Sequence, residues 1–172
     1  MKIMISSEQK KLFRENYKKY YITGMDILHK KLLSIGGEAV VPQPEIREHL
    51  DALLTTGEVF NSKNIKMILG YPSHCHENSA KLWLRYEYPQ IVTGWVLDCD
   101  TLWRQHSWLW HPNKKHIIET TGKRKIYFGT ILNDIQSVKF LLSNVYPTEL
   151  RYIKSSKRSS ALVDSFVKTY KV

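Results

Sequence analysis

Cysteine is scarce in this chain, and long apolar runs are absent. The 172 residues include two cysteines, Cys75 and Cys99, too few for the disulfide framework of a small secreted protein. We expect both thiols to be reduced. No stretch approaches the ~20 apolar residues of a transmembrane helix, and residues 1–11 lack the apolar core of a signal peptide. These absences predict a cytoplasmic protein that does not associate with a membrane.

Acidic residues are outnumbered, with 26 Lys and Arg against 16 Asp and Glu and a net charge of +10. The excess lies at the two ends. Residues 1–30 carry 7 basic and 3 acidic side chains and residues 136–172 carry 7 and 2, whereas residues 31–112 carry 7 and 9. A lysine-rich surface explains this pattern, and basic ends that bind an acidic partner are the alternative. No stretch matches a known nucleic-acid-binding module, so nucleic acid is a less favoured partner.

The order of predicted elements indicates an α+β fold. The elements are helices over 7–21 and 24–34, a short strand over 39–41, a helix over 45–54, a central helix that follows Ser73 as its N-cap, strands over 91–98, 102–110, 116–120 and 125–131, and helices over 134–142 and 162–170. We predict N-terminal helices and a cysteine-bearing helix packed on an antiparallel β-sheet, because the strands follow one another through short connections.

The length fits one domain. We expect residues 1–172 to form it, with a helical part over 1–69, a core over 70–145 and a basic C-terminal segment over 146–172.

Three residues of the predicted core have the chemistry of a thiol enzyme. Cys75 is predicted in the first turn of the central helix, where the helix dipole and free N–H groups favour the thiolate. His106 lies on a predicted strand, and Glu119 lies on the next one. If Pro112 and Asn113 form a two-residue turn, His106 and Glu119 are direct cross-strand partners, with Cβ atoms ~5 Å apart. The carboxylate would then orient the imidazole.

The order of these residues resembles the papain-like and transglutaminase-like thiol enzymes. The resemblance covers residues 70–131, and its motifs look like those of a group of small members of this superfamily. It is carried by Cys75-His76-x-Asn78, Gly94-Trp95, His106-Ser107-Trp108, Ile118-Glu119-Thr120-Thr121 and Tyr127-Phe128-Gly129. It implies that Cys75 is the nucleophile, His106 the general base and acid, and Glu119 the orienting residue, in an enzyme that needs no cofactor. The implied substrate is an amide of a protein or peptide.

Other residues are candidates for supporting roles. The papain-like enzymes use a glutamine before the cysteine as an oxyanion donor, and residues 68–73 contain none. The Cys75 backbone N–H and a second donor are the alternative, with Asn61, Asn64 and Asn78 as candidates. His76 is a candidate supporting residue on the helix. Trp108 flanks His106 and is a candidate for shielding the site. The sequence leaves hydrolysis, glutamine deamidation and amine transfer open.

Two other classes of function compete with the enzyme. The first is a zinc site, because imidazoles and thiolates suit zinc, although the ligand spacing is not typical. Its candidate ligands are His74, Cys75, His76, Cys99, His106, His111 and His116. The second is an inactive module that binds protein, or that stacks tryptophans on nucleic-acid bases. We expect most of the five tryptophans to be core residues instead.

Overall fold

The protein combines helices and strands in the predicted α+β order. The structure is a computed structural model that describes residues 6–19 and 22–150. The helices are α1 (Ser7–Lys19), α2 (Met25–Ile35), α3 (Arg47–Thr55), α4 (Cys75–Arg85), α5 (Asp134–Asn144) and α6 (Pro147–Leu150). The strands are β1 (Ala39–Val40), β2 (Glu58–Phe60), β3 (Ile65–Met67), β4 (Gln90–Leu97), β5 (Leu102–His111), β6 (His116–Glu119) and β7 (Ile126–Ile131).

The longer elements agree with the sequence prediction within about two residues at most ends. The structure adds two three-residue strands, β2 and β3, which are too short to produce a clear alternating pattern. Helix α3 begins at Arg47, two residues after its predicted start. The predicted helix over 162–170 lies outside the described residues.

The predicted antiparallel sheet is a mixed sheet, and that part of the prediction is wrong. Its strand order is β2-β7-β4-β5-β6-β3, and β1 pairs with β5. Strand β1 is parallel to the start of β5, and β3 is parallel to β6. Parallel neighbours require a long connection between them. The chain between β1 and β5 includes α3 and α4, and the chain between β3 and β6 includes α4. Short connections make consecutive strands antiparallel, whereas both parallel pairs join strands that are distant in the chain.

The chain divides into two compact units, and each combines non-contiguous segments. Among the described residues, the first unit contains 6–19, 22–62, 94–106 and 124–130, and the second contains 63–93, 107–123 and 131–150. The segment 70–145 therefore contributes to both units.

Each unit has its own apolar core. In the first unit, α2 and α3 pack against strand residues, and the core consists of Met25, Leu28, Leu32, Val40, Leu50, Leu53, Trp95, Leu97, Trp103 and Phe128. In the second unit, α4 and α5 supply much of the core, which consists of Ala80, Trp83, Leu84, Ile91, Leu109, Ile118, Leu132, Leu141 and Val145. Four of the five tryptophans are buried, as expected for core residues, namely Trp83, Trp95, Trp103 and Trp108. Buried rings cannot stack on nucleic-acid bases.

Histidine burial in the first unit predicts acid sensitivity. The ring of His29 on α2 lies edge-on to Trp95, with 6.1 Å between centroids. Burial lowers the pKa of His29 from 6.5 to about 4, and the nearby Asp26 carboxylate opposes this only in part. The unfolded chain therefore takes up a proton at a higher pH than the folded chain does. The resulting stability is complete above pH ~6.5 and is lost as the pH falls toward 4.

We expect the free energy of unfolding to fall by ~1–2 kcal/mol between pH 7.5 and 4.5 through His29, allowing for its partial exposure. Urea titrations at several pH values measure this change. In His29→Phe this part of the pH dependence should be absent. Burial also lowers the pKa of His116 in the second unit, so the variant retains a smaller dependence of the same sign. Identical pH dependence in the wild type and the variant would contradict the assignment to His29.

Candidate functional site

Cys75 is the first residue of α4, as the prediction of a first-turn cysteine requires. Its side chain is partly exposed. The predicted N-cap is displaced by one residue, because the N-cap is His74 and not Ser73. Ser73 has a φ of 63°, which takes it out of the extended conformation that an N-cap residue normally adopts. The His74 side chain does not cap this helix end. The His74 ring bonds to Glu77 instead, with 2.8 Å between Nδ1 and Oε2.

The loop before Cys75 is fixed by Asn78. The Asn78 side chain accepts a hydrogen bond from the Tyr71 backbone N–H at 3.1 Å and donates one to the Tyr71 carbonyl at 2.8 Å. A side chain at Gly70 would overlap the Asn78 amide, so this close approach requires glycine. The Gly70 N–H also bonds to the Thr120 carbonyl at 2.9 Å. Asn78 was a candidate oxyanion donor, but these contacts engage most of its amide and support a role in positioning the loop.

The loop displays two large side chains to solvent. Leu69 is 73% exposed and Tyr71 is 68% exposed. The Tyr71 ring lies edge-on to the His74 ring, with 6.2 Å between centroids. Apolar surface therefore lies in the chain directly before the thiol, on a backbone that Asn78 holds in place.

The predicted register of the β5–β6 hairpin is wrong by two residues. Observed partners are Leu109 with Ile118, Trp110 with Ile117, and His111 with His116. The predicted two-residue turn would need a positive φ at its first central position, which proline cannot adopt. The connection instead spans 112–115 and ends at Lys115, with a φ of 47°.

The corrected register moves Glu119 away from the position opposite His106. Continuing the observed pairing by one step places Glu119 opposite Trp108. Side chains alternate along a strand, so positions 106 and 108 of β5 share a face. Because the register of β6 against β5 differs from the prediction by two residues, the Glu119 position stays on the sheet face that was predicted for it. A difference of one residue would have placed it on the opposite face. His106 is 3% exposed and Glu119 is fully buried.

The Glu119 carboxylate is held by its neighbours in sequence. Its Oε1 accepts hydrogen bonds from the Thr120 N–H at 2.8 Å, the Thr121 N–H at 3.0 Å and the Thr121 hydroxyl at 3.2 Å. The Glu119 backbone is also fixed, because its carbonyl accepts the Ile68 N–H at 2.9 Å. An ionised carboxylate can accept all of these donors, and burying a charge without such partners is costly.

Side-chain hydrogen bonds between residues distant in sequence join helix α4 to β5. The His76 Nδ1 lies 2.7 Å from the Ser107 hydroxyl, and that hydroxyl donates to Thr93 Oγ1 at 3.1 Å. The Ser79 hydroxyl donates to the Ser107 carbonyl at 3.1 Å. No local pattern assigns these roles to Ser107 and Thr93, because the contacts join positions 14 to 31 residues apart.

Trp108 is fully buried, so it is a core residue of the second unit. Its burial supports a role in excluding water from the neighbouring strand positions. It gives no support for contact of the indole with a bound substrate.

The described residues give no support for the alternative of a zinc site. Within residues 6–19 and 22–150 there is no group of three His, Cys, Asp or Glu side chains that could hold a metal ion. The imidazoles nearest to Cys75 in sequence bond to Glu77 and Ser107. The rings of His111 and His116 lie 5.2 Å apart across the hairpin, and the neighbouring lysines Lys66 and Lys114 help burial to lower the pKa of His116.

Comparison of the chain with protein-family models, with curated proteins and with solved structures gives no match. None of the described helices has the length and apolarity needed to cross a bilayer.

Proposed function

We propose that this protein is a thiol-dependent acyl-transfer enzyme that acts on amide bonds of proteins or peptides. Cys75 is the nucleophile, His106 the general base and acid, and Glu119 the residue that orients the imidazole. The observation that carries the proposal is the fully buried Glu119 carboxylate, anchored by three hydrogen bonds on the strand paired with β5. Burying a carboxylate at the end of an apolar strand is costly. Orienting a catalytic imidazole is a function that would account for this cost.

The proposed reaction proceeds through a thioester. His106 removes the Cys75 thiol proton, and Sγ attacks the amide carbonyl carbon. Collapse of the tetrahedral intermediate breaks the C–N bond, and His106 returns the proton to the leaving amine or ammonia. Water then attacks the thioester, releasing the acid and restoring the thiol. The Cys75 backbone N–H is the proposed first oxyanion donor, because preorganised backbone N–H groups beside a nucleophile stabilise the negative charge that develops on the carbonyl oxygen.

The proposal also covers the second nucleophile, the cellular location and the partner of the basic ends. Water as the second nucleophile makes the protein a peptidase, amidase or glutamine deamidase, and an amine would make it a transglutaminase. No cofactor takes part in these steps. We place the protein in the cytoplasm, where its two cysteines stay reduced, and we assign its basic ends to contact with an acidic partner.

Alkylation of the native protein tests the proposal without a substrate. We expect iodoacetamide to modify Cys75 rapidly at pH 6, where an ordinary thiol is hardly ionised. The exposed Cys99 should react at least ~10-fold more slowly. Intact mass and peptide mapping follow each cysteine separately. His106→Ala should remove the advantage of Cys75 and leave Cys99 unchanged. Equal rates at the two cysteines in the wild type would overturn the enzyme assignment.

A further inference from the structure

We propose that His76 is a positioning residue for the thiol, acting through Ser107. This inference rests on the proposed function and extends it to a residue that does not touch the reacting atoms. The hydrogen bond between His76 and Ser107 fixes the first turn of α4, which begins with Cys75, against strand β5. Ser107 directly follows His106 in the chain.

The partners of Ser107 favour one tautomer of His76. The Ser107 hydroxyl has one proton, and in the assigned arrangement it donates this proton to Thr93 Oγ1. In that arrangement the hydroxyl accepts from His76, so Nδ1 carries a proton and a neutral ring has its lone pair on Nε2. The short 2.7 Å distance and the complete burial of Ser107 make this bond costly to lose.

The placement of His76 distinguishes positioning from base catalysis. Consecutive helix residues point ~100° apart, so Cys75 and His76 occupy different faces of α4. The His76 side chain reaches Ser107, and its ring packs edge-on against Phe140 of α5 at 5.8 Å. The imidazole is therefore held between two elements of the second unit, which suits a tether.

A second hydrogen bond makes the tether rigid. Ser79 lies three residues after His76 on α4, and its hydroxyl donates to the Ser107 carbonyl at 3.1 Å. Residues i and i+3 share a helix face, so one face at the start of α4 is bonded to one residue of β5 at both its hydroxyl and its carbonyl. Rotation or sliding of this end of α4 would break both bonds and would move the Cys75 thiol.

The test compares variants that keep or remove the tether. His76→Phe retains a planar ring against Phe140 but has no donor, and His76→Asn restores a side-chain amide near the position of Nδ1. Ser107→Ala removes the acceptor from the opposite side. Alkylation of Cys75 by iodoacetamide is measured from pH 5 to 9 in each variant, with Cys99 as the internal reference and thermal unfolding recorded in parallel.

We expect His76→Phe and Ser107→Ala to slow Cys75 alkylation at pH 6 by about 10-fold and to move its pH profile upward, because small displacements of reacting groups are costly. His76→Asn should recover most of the wild-type rate. If all three variants lose thermal stability but keep the wild-type pH profile, the tether is only structural and the inference fails. A wild-type Cys75 without a His106-dependent advantage would instead overturn the proposed function.

Discussion

Replacing Cys75 by alanine is expected to abolish amide hydrolysis, at least ~10³-fold, while leaving the fold intact. Alanine has the highest helix propensity, and Cys75 is only partly buried at the first position of α4. Little stability should therefore be lost, and the melting temperature should stay within a few degrees of the wild type. The assays are cleavage of fluorogenic peptide amides and release of ammonia from glutamine residues of an unfolded carrier protein.

The same assays separate the roles of the other two residues. His106→Ala should approach the loss seen in Cys75→Ala. Glu119→Gln should cost less, ~10–100-fold, because the amide oxygen can still accept the three donors that now bond to Oε1. Glu119→Leu removes that acceptor and should also destabilise the fold. Full turnover in Cys75→Ala would end the mechanism, and a Glu119→Gln variant that is less stable yet fully active would make the carboxylate structural.

Replacing Gly94 by alanine is expected to destabilise the protein by ~3 kcal/mol or more. Gly94 lies in β4, and a Cβ built there would sit 2.5 Å from the Gly129 Cα and would overlap the Phe128 carbonyl oxygen. These are backbone atoms of β7, so neither neighbour can rotate away. For a chain of this size the melting temperature should fall by ~10 °C, measured by circular dichroism.

Val59→Ala is the matched control for this effect. Val59 is on β2 and pairs with Phe128 from the other side of β7, and it is 53% exposed. Removing its methyl groups leaves no buried cavity, so the cost should stay below ~1 kcal/mol. An equal loss of stability in both variants would mean that β7 tolerates no change at all, and would refute the clash as the cause.

The local sequence pattern by itself determined the positions of the longer helices and strands. The spacing of apolar residues located the longer helices and strands, because these elements follow periods that lie within a short stretch of chain. The turn at Pro72 and the residues after it indicated a helix with Cys75 in the first turn, and the structure agrees.

Tertiary structure decided the features that depend on distant partners. The register of the β5–β6 hairpin required the geometry of the loop 112–115, and the parallel pairing of β3 with β6 required a crossover that no short pattern reveals. The bond between His76 and Ser107 joins residues 31 positions apart. A sequence shows the chemistry of each side chain and its local period, but packing alone determines which side chains meet, because long-range contacts form between surfaces that the chain brings together only on folding.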